Sequence, residues 1–282
     1  MYTSHTVVLP TGVNMAYVEA GKGSNTLLFI HGLACYSQSW QKNIDSLRQH
    51  FRCIAIDLPG NGYSDYADYP YSISFFASCI KDFIQHLGLH QVILVGHSLG
   101  GQIAIRVAAD NPEMINGLVL CAPAGFETFS ELEKSFYHSS FYFFNFFSSD
   151  ANSLSKSVTS SFYHYTDQAD DLIENLQRIL QRYPPNAFRS MVEKCINGML
   201  QEPVFHLLSQ IACPTLVFFG ERDVFIPNRL IHPTTTKHIA EMGIQQIPQS
   251  QLVLFPRCGH FVQWENYRDV NSHIQDFVLN KL

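Results

Sequence analysis

The sequence predicts an α/β fold: a doubly wound, mostly parallel sheet of eight strands carrying an inserted helical cap. Three observations support this. Six short apolar runs are continuous rather than alternating, which is the pattern of parallel strands covered on both faces. Helical periodicity fills several of the gaps between them, so strand and helix alternate along the chain. A length of 282 residues suits one large domain with an insertion better than two domains.

The elements follow in order. Segments 6–9 and 13–18, separated by Pro10-Thr11-Gly12, read as an opening antiparallel hairpin. The apolar runs lie at 26–30, 53–56, 92–95, 117–120, 215–219 and 252–255, and helical patterns at 39–50, 73–87 and 270–279. The alternation breaks after Ala122-Pro123-Ala124-Gly125 and resumes only at Thr215. Between them stand an aromatic run at 135–147, a serine-rich polar stretch and helical patterns at 169–181 and 185–200. Residues 126–207 therefore read as the cap, with 1–125 and 208–282 as the core. The aromatic run predicts packing of cap on core or the wall of an apolar substrate pocket.

Composition excludes several classes. A formal charge of -6, with 15% charged and 46% hydrophobic residues, offers no basic footprint for nucleic acid. No stretch reaches the ~20 apolar residues of a membrane helix, and the N-terminal residues carry no secretion pattern. Seven scattered cysteines, an odd number, argue against a disulfide framework and read as buried thiols of a cytoplasmic protein. No C-x-x-C pair and no helical H-x-x-x-H pair supports a metal.

The chemistry concentrates at Gly96-His97-Ser98-Leu99-Gly100, set between the 92–95 run and a helix-forming stretch. Small flanking residues let the chain fold back so sharply that the Ser98 hydroxyl stands clear of the backbone. A serine hydroxyl is hardly ionised at neutral pH, so it needs a histidine to take its proton and a carboxylate to orient that histidine. In doubly wound sheets, function collects at the carboxyl ends of strands. The last two strand ends supply Asp223, in Gly220-Glu221-Arg222-Asp223, and His260, in Cys258-Gly259-His260. Glu221 points away from Asp223 while the chain stays extended, and Glu127, behind the 117–120 run, is the alternative acid. Attack on a carbonyl builds an oxyanion that needs preorganised donors. The N–H of Leu99 and the N–H of Leu33, in His31-Gly32-Leu33-Ala34-Cys35, are assigned to it, while His31 braces that loop.

Together these pieces resemble the α/β-hydrolase superfamily, specifically its small capped serine hydrolases. The resemblance rests on His31-Gly32, the segment Asp57-Leu58-Pro59-Gly60-Asn61-Gly62-Tyr63-Ser64, the Ser98 turn, Gly220-Glu221-Arg222-Asp223 with Ile226-Pro227, and Cys258-Gly259-His260. It implies a Ser98–His260–Asp223 triad acting through an acyl-enzyme on a small carboxylic ester or related acyl compound, without cofactor or metal. The tail Gly259-His260-Phe261-Val262-Gln263-Trp264-Glu265 is similar to that of carbon–carbon hydrolases acting on aromatic ring-fission products, the alternative reading. Those enzymes usually carry a longer glycine-rich oxyanion loop and an asparagine before the nucleophile, where this chain has Leu33-Ala34-Cys35 and His97. Arg178, Arg182 and Arg189 are the cap cations available to a substrate carboxylate. A binding protein that has kept the fold is the third reading. The expected partner is a small apolar or aromatic acyl substrate; nucleic acid and stable membrane insertion are not expected, and a homodimer is left open.

Overall fold

In a computed structural model, residues 2–144, 156, 158–165, 169–184 and 186–282 are described. The continuous apolar runs are strands: β3 (Thr26–Ile30), β4 (Arg52–Ile56), β5 (Val92–His97), β6 (Ile115–Cys121) and β7 (Thr215–Gly220). Every residue of β3, β5 and β7 is buried, as expected for strands covered on both faces. The hairpin strands β1 (Ser4–Val8) and β2 (Asn14–Ala20) pair antiparallel, and β8 (Ser250–Phe255) closes the opposite edge. The sheet has eight strands in the order β1-β2-β4-β3-β5-β6-β7-β8, parallel from β4 onward. The edge strands β1 and β8 lose the all-buried pattern because one side of each meets no further strand.

The two sheet faces carry separate cores. Leu27, Phe29, Ile93 and Val95 pack with α1 (Gln41–Leu47) and with the C-terminal helix Tyr267–Lys281. On the other face Leu28, Ile30 and Leu94 pack with α2 (Ile73–His86) and α3 (Leu99–Asp110), in a cluster that runs on into the inserted segment. Ser72 caps α2 by accepting from the Phe75 N–H at 3.1 Å.

The insertion between β6 and β7 contains α4 (Glu131–Phe144), α5 (Asp170–Leu180) and α6 (Ala187–Gln201). Ser130 and Glu133 form a capping box at the start of α4, with the Glu133 carboxylate accepting the Ser130 N–H at 2.7 Å. Helix α5 buries Leu172, Leu176 and Ile179, one stripe at helical spacing. In the aromatic run, residues from Asn145 to Phe147 lie outside the described residues, as does most of the polar stretch after them.

Helix limits differ from the sequence pattern in three places. The 39–50 pattern divides into a 3-10 turn at Ser37–Trp40 and α1, because Trp40 (φ -105°, ψ 4°) leaves the helical region between them. Helix α6 starts at Ala187 behind the left-handed Asn186 (φ 66°), two residues later than the pattern; Pro185 lies outside the described residues. The C-terminal helix begins at Tyr267, three residues before its apolar stripe. Two further helices, α7 (Thr236–Ile244) and α8 (Val262–Glu265), precede this last one, α9. Among the described residues, no helix is long and apolar enough to cross a membrane.

Candidate active site

Strand pairing brings the candidate residues to one edge. Ile30 of β3 is the register partner of Gly96 of β5, so the loop after β3 and the turn after β5 leave the sheet side by side. One strand further, β6 lies against β7, and β7 pairs with β8 so that Gly220 faces Phe255. The Asp223 and His260 turns therefore rise together, separated from Ser98 by the width of β6. This is the carboxyl edge of the parallel strands, where the order reverses around β3.

Ser98 sits at φ 52°, ψ -118°, a conformation that costs a non-glycine residue about 1–3 kcal/mol and persists only where its surroundings enforce it. Contacts too close for any side chain enforce it here. A Cβ on Gly96 would stand 2.4 Å from the Gly100 carbonyl oxygen, and one on Gly100 would stand 2.3 Å from that of Ile30. Neither the Leu99 N–H, at the first turn of α3, nor the Leu33 N–H donates to an acceptor among the described residues.

His260 and Asp223 form a buried pair, Nδ1 to Oδ2 at 2.7 Å, with His260 5% exposed and Asp223 fully buried. The Asp223 Oδ1 accepts the N–H groups of Phe225 (2.8 Å) and Ile226 (3.0 Å), which fixes the carboxylate plane. A carboxylate at Nδ1 places the ring proton there and leaves the Nε2 lone pair free to accept. The Phe225 ring stands edge-on to the imidazole at 5.1 Å.

Ser98, His260 and Leu33 line one cavity of about 570 Å³. Its walls are largely apolar, from Ile196, Met199 and Leu200 of α6, Phe225 and Ile226 beyond β7, and Tyr137 of α4. None of Arg178, Arg182 and Arg189 lines it. Arg178 pairs with Glu174 and Arg189 with Glu193 along their own helices, and Arg182 lies over the Tyr63 ring. Lys134, nearly buried and paired with the exposed Glu131, is the insertion cation that does reach the wall.

The other candidates have structural partners. His31 is fully buried, donates from Nδ1 to the Gly32 carbonyl (2.8 Å) and accepts the Leu58 N–H at Nε2 (3.0 Å); burial lowers its pKa to about 4. Asp57 accepts the Ser37 and Tyr63 N–H groups, each at 2.8 Å, tying two loops behind the site. Glu127 lines the same cavity, but its hydrogen bonds go elsewhere than to His260. Its carboxylate accepts the Asn228 N–H and meets His232 Nδ1 at 2.6 Å, so it is occupied in holding the loop that follows Asp223.

Sequence reasoning missed three supports. His97 donates from Nε2 to the His260 carbonyl at 3.1 Å, and burial holds its pKa well below the usual histidine range. His232 spans Glu127 and Glu133, linking the loop after β7 to α4. Glu265 reaches back to the His260 turn. For His97 and Glu265 the signal was present, since both stand inside motifs already singled out; His232 had none. Among the described residues, no cluster of three or more His, Cys, Asp or Glu side chains is arranged to hold a metal.

The fold and this edge define a class, and comparison with known proteins agrees. A family model described as "alpha/beta hydrolase fold" matches residues 25–267, and the chain belongs to that family. Similar proteins include a 2-hydroxy-6-oxononadienedioate/2-hydroxy-6-oxononatrienedioate hydrolase from Paraburkholderia phymatum, 26% identical over 95% of this chain and 92% of the relative. Among solved structures, a bacterial membrane phospholipase A superposes with TM-score 0.82 at 24% identity, covering 98% of this chain and 86% of the other. An esterase from Exiguobacterium antarcticum superposes with TM-score 0.80 at 20% identity, covering 99% and 100%.

Proposed function

We propose that this protein is a serine hydrolase of small carboxylic esters or related acyl compounds, with residues 126–207 as a cap over its substrate cavity and the cytoplasm as its compartment. The observation that carries this reading is the His260–Asp223 pair, 2.7 Å apart and buried, opening onto the cavity that Ser98 lines from its strained turn. In the reaction, Ser98 Oγ attacks the carbonyl carbon while His260 Nε2 takes the hydroxyl proton. The Leu33 and Leu99 N–H groups receive the oxyanion, and the imidazolium returns its proton to the departing alkoxide. Water then gives a proton to Nε2 and attacks the acyl-Ser98 ester, releasing the carboxylic acid and restoring the serine. The apolar walls fit an apolar or aromatic acyl or alcohol part.

A second reading is cleavage of a carbon–carbon bond in a ring-fission dienoate. The names of several relatives that match along most of their length favour it, as does the tail from Gly259 to Glu265. The three cap arginines line no part of the cavity, and Lys134 and Arg229 are the cations on its wall that a substrate carboxylate would meet.

Steady-state hydrolysis of p-nitrophenyl acyl esters from acetate to octanoate, beside Ser98→Ala, tests the first reading. Turnover lost in the variant is expected. Wild-type protein inert on every ester but active on a dienoate transfers the assignment to the second reading.

A further inference from the structure

The His260 turn has a support that the chemistry above does not use. Glu265, at the end of α8, points its carboxylate back along the chain. Its Oε1 accepts the Gly259 N–H at 2.8 Å, and its Oε2 accepts the N–H groups of Tyr163 (2.9 Å) and His164 (3.3 Å). One of these donors immediately precedes His260, and the other two belong to the insertion.

The same two segments meet again at independent points. The His260 N–H donates to the Ser161 carbonyl at 2.8 Å, and the Phe162 ring stacks on Phe261 with centroids 5.0 Å apart and planes 2° from parallel. Gly259 leaves no slack between them, since a Cβ there would stand 2.4 Å from the Ser161 oxygen and 2.7 Å from the Tyr163 nitrogen. Val158 and Ser161 of this segment line the cavity. The backbone that carries the base is thus bonded to one wall of the substrate site.

We propose that Glu265 is a positioning residue that clamps the His260 turn and segment 158–165 into one unit, so that seating this wall also sets the base. The inference rests on the serine-hydrolase reading. A carboxylate suits the place because it only accepts, while three backbone N–H donors converge on it. In Glu265→Gln the amide NH2 must face at least one N–H donor, so one of the two segments loses its anchor. A misplacement of the base by about 1 Å can cost a hundredfold in rate.

The test is Glu265→Gln with active sites counted by fluorophosphonate titration. The expected result is kcat per titrated site lowered about tenfold to a hundredfold, with an altered acid limb of the kcat/KM pH profile. A role limited to folding would lower the thermal midpoint while leaving kcat per site and the profile unchanged, and that result overturns the inference. Should the variant not fold, Phe162→Leu reads the coupling from the other side. It has to lower kcat per site, and a change confined to KM also overturns the inference. Wild-type protein that fluorophosphonate does not label removes the serine-hydrolase reading and this inference with it; a labelled wild type with an unaffected Glu265→Gln removes the inference alone.

Discussion

The sheet core and the insertion are held by different forces. In the core, β3, β5 and β7 are buried throughout, and backbone approaches backbone at Gly96 and Gly100 more closely than any side chain allows. The insertion is tied to it partly by side chains reaching main chain. Gln102 donates to the carbonyls of Met199 (3.0 Å) and Glu202 (3.1 Å), and the Glu202 carboxylate accepts the Ser74 N–H at 2.7 Å. The difference teaches where variation is tolerated. Chemistry is built where backbone leaves no freedom, and the cavity wall is built where a handful of side chains decides the fit.

The contrast breaks most visibly at the site. Ser98→Ala or His260→Ala is expected to lower ester kcat by roughly 10⁴- to 10⁶-fold with the fold intact, whereas Arg178→Ala, exposed on α5, leaves kcat and KM unchanged. Parallel ester kinetics and circular dichroism on the three variants check both halves.

The two acids sharpen the comparison. Asp223→Asn presents an amide to His260 Nδ1 and disturbs its tautomer, for an expected loss near 10⁴-fold in kcat. Glu127→Gln loses contacts to Asn228 and His232 only and is expected to cost less than about tenfold. Equal losses in the two variants would return Glu127 to candidacy as the working acid.

Stability follows the same division. Gly100→Ala forces a methyl to 2.3 Å from one carbonyl oxygen and 2.5 Å from another, both backbone, so it should cost about 3 kcal/mol or more. Leu132→Ala, at an 85% exposed position of α4, should stay within about 0.5 kcal/mol. Urea denaturation of both separates them.

These contrasts track what the sequence made legible. Strands could be read from apolar continuity, and a strand end limits where the next side chain can go, so Asp223 and His260 followed from the runs before them. The His31 brace followed from its place ahead of Gly32. Contacts between distant segments left no local pattern. That His232 bridges Glu127 to Glu133, or that Glu265 meets Tyr163, depends on how the insertion returns to the sheet, and no periodicity encodes that. Helices α5 and α6 were visible from their own stripes, while the helix α4 that carries much of the aromatic run was not, nor was which of the insertion's cations faces the cavity. Lys134 does and the three arginines do not.

A further contrast lies in the pH dependence of the core. His31 is buried neutral with its pKa lowered from 6.5 to about 4. In the unfolded chain it takes a proton below about pH 6.5, while in the fold it does not until about pH 4. Its contribution to stability is therefore complete above pH 6.5 and is lost as pH falls towards 4, a change on the order of 2–3 kcal/mol. His97, also buried neutral, acts in the same direction. Asp57, Glu127 and Glu265 act oppositely, because burial raises their pKa values and the fold then binds their protons more readily than the unfolded chain. The whole-protein curve mixes both signs, so the informative quantity is the difference between wild type and His31→Gln. That difference in urea-unfolding free energy should narrow steadily from pH 7 to pH 4. A constant gap across the range would mean that His31 takes up its proton at the same pH in the fold as in the unfolded chain, against its burial and its position as acceptor of the Leu58 N–H.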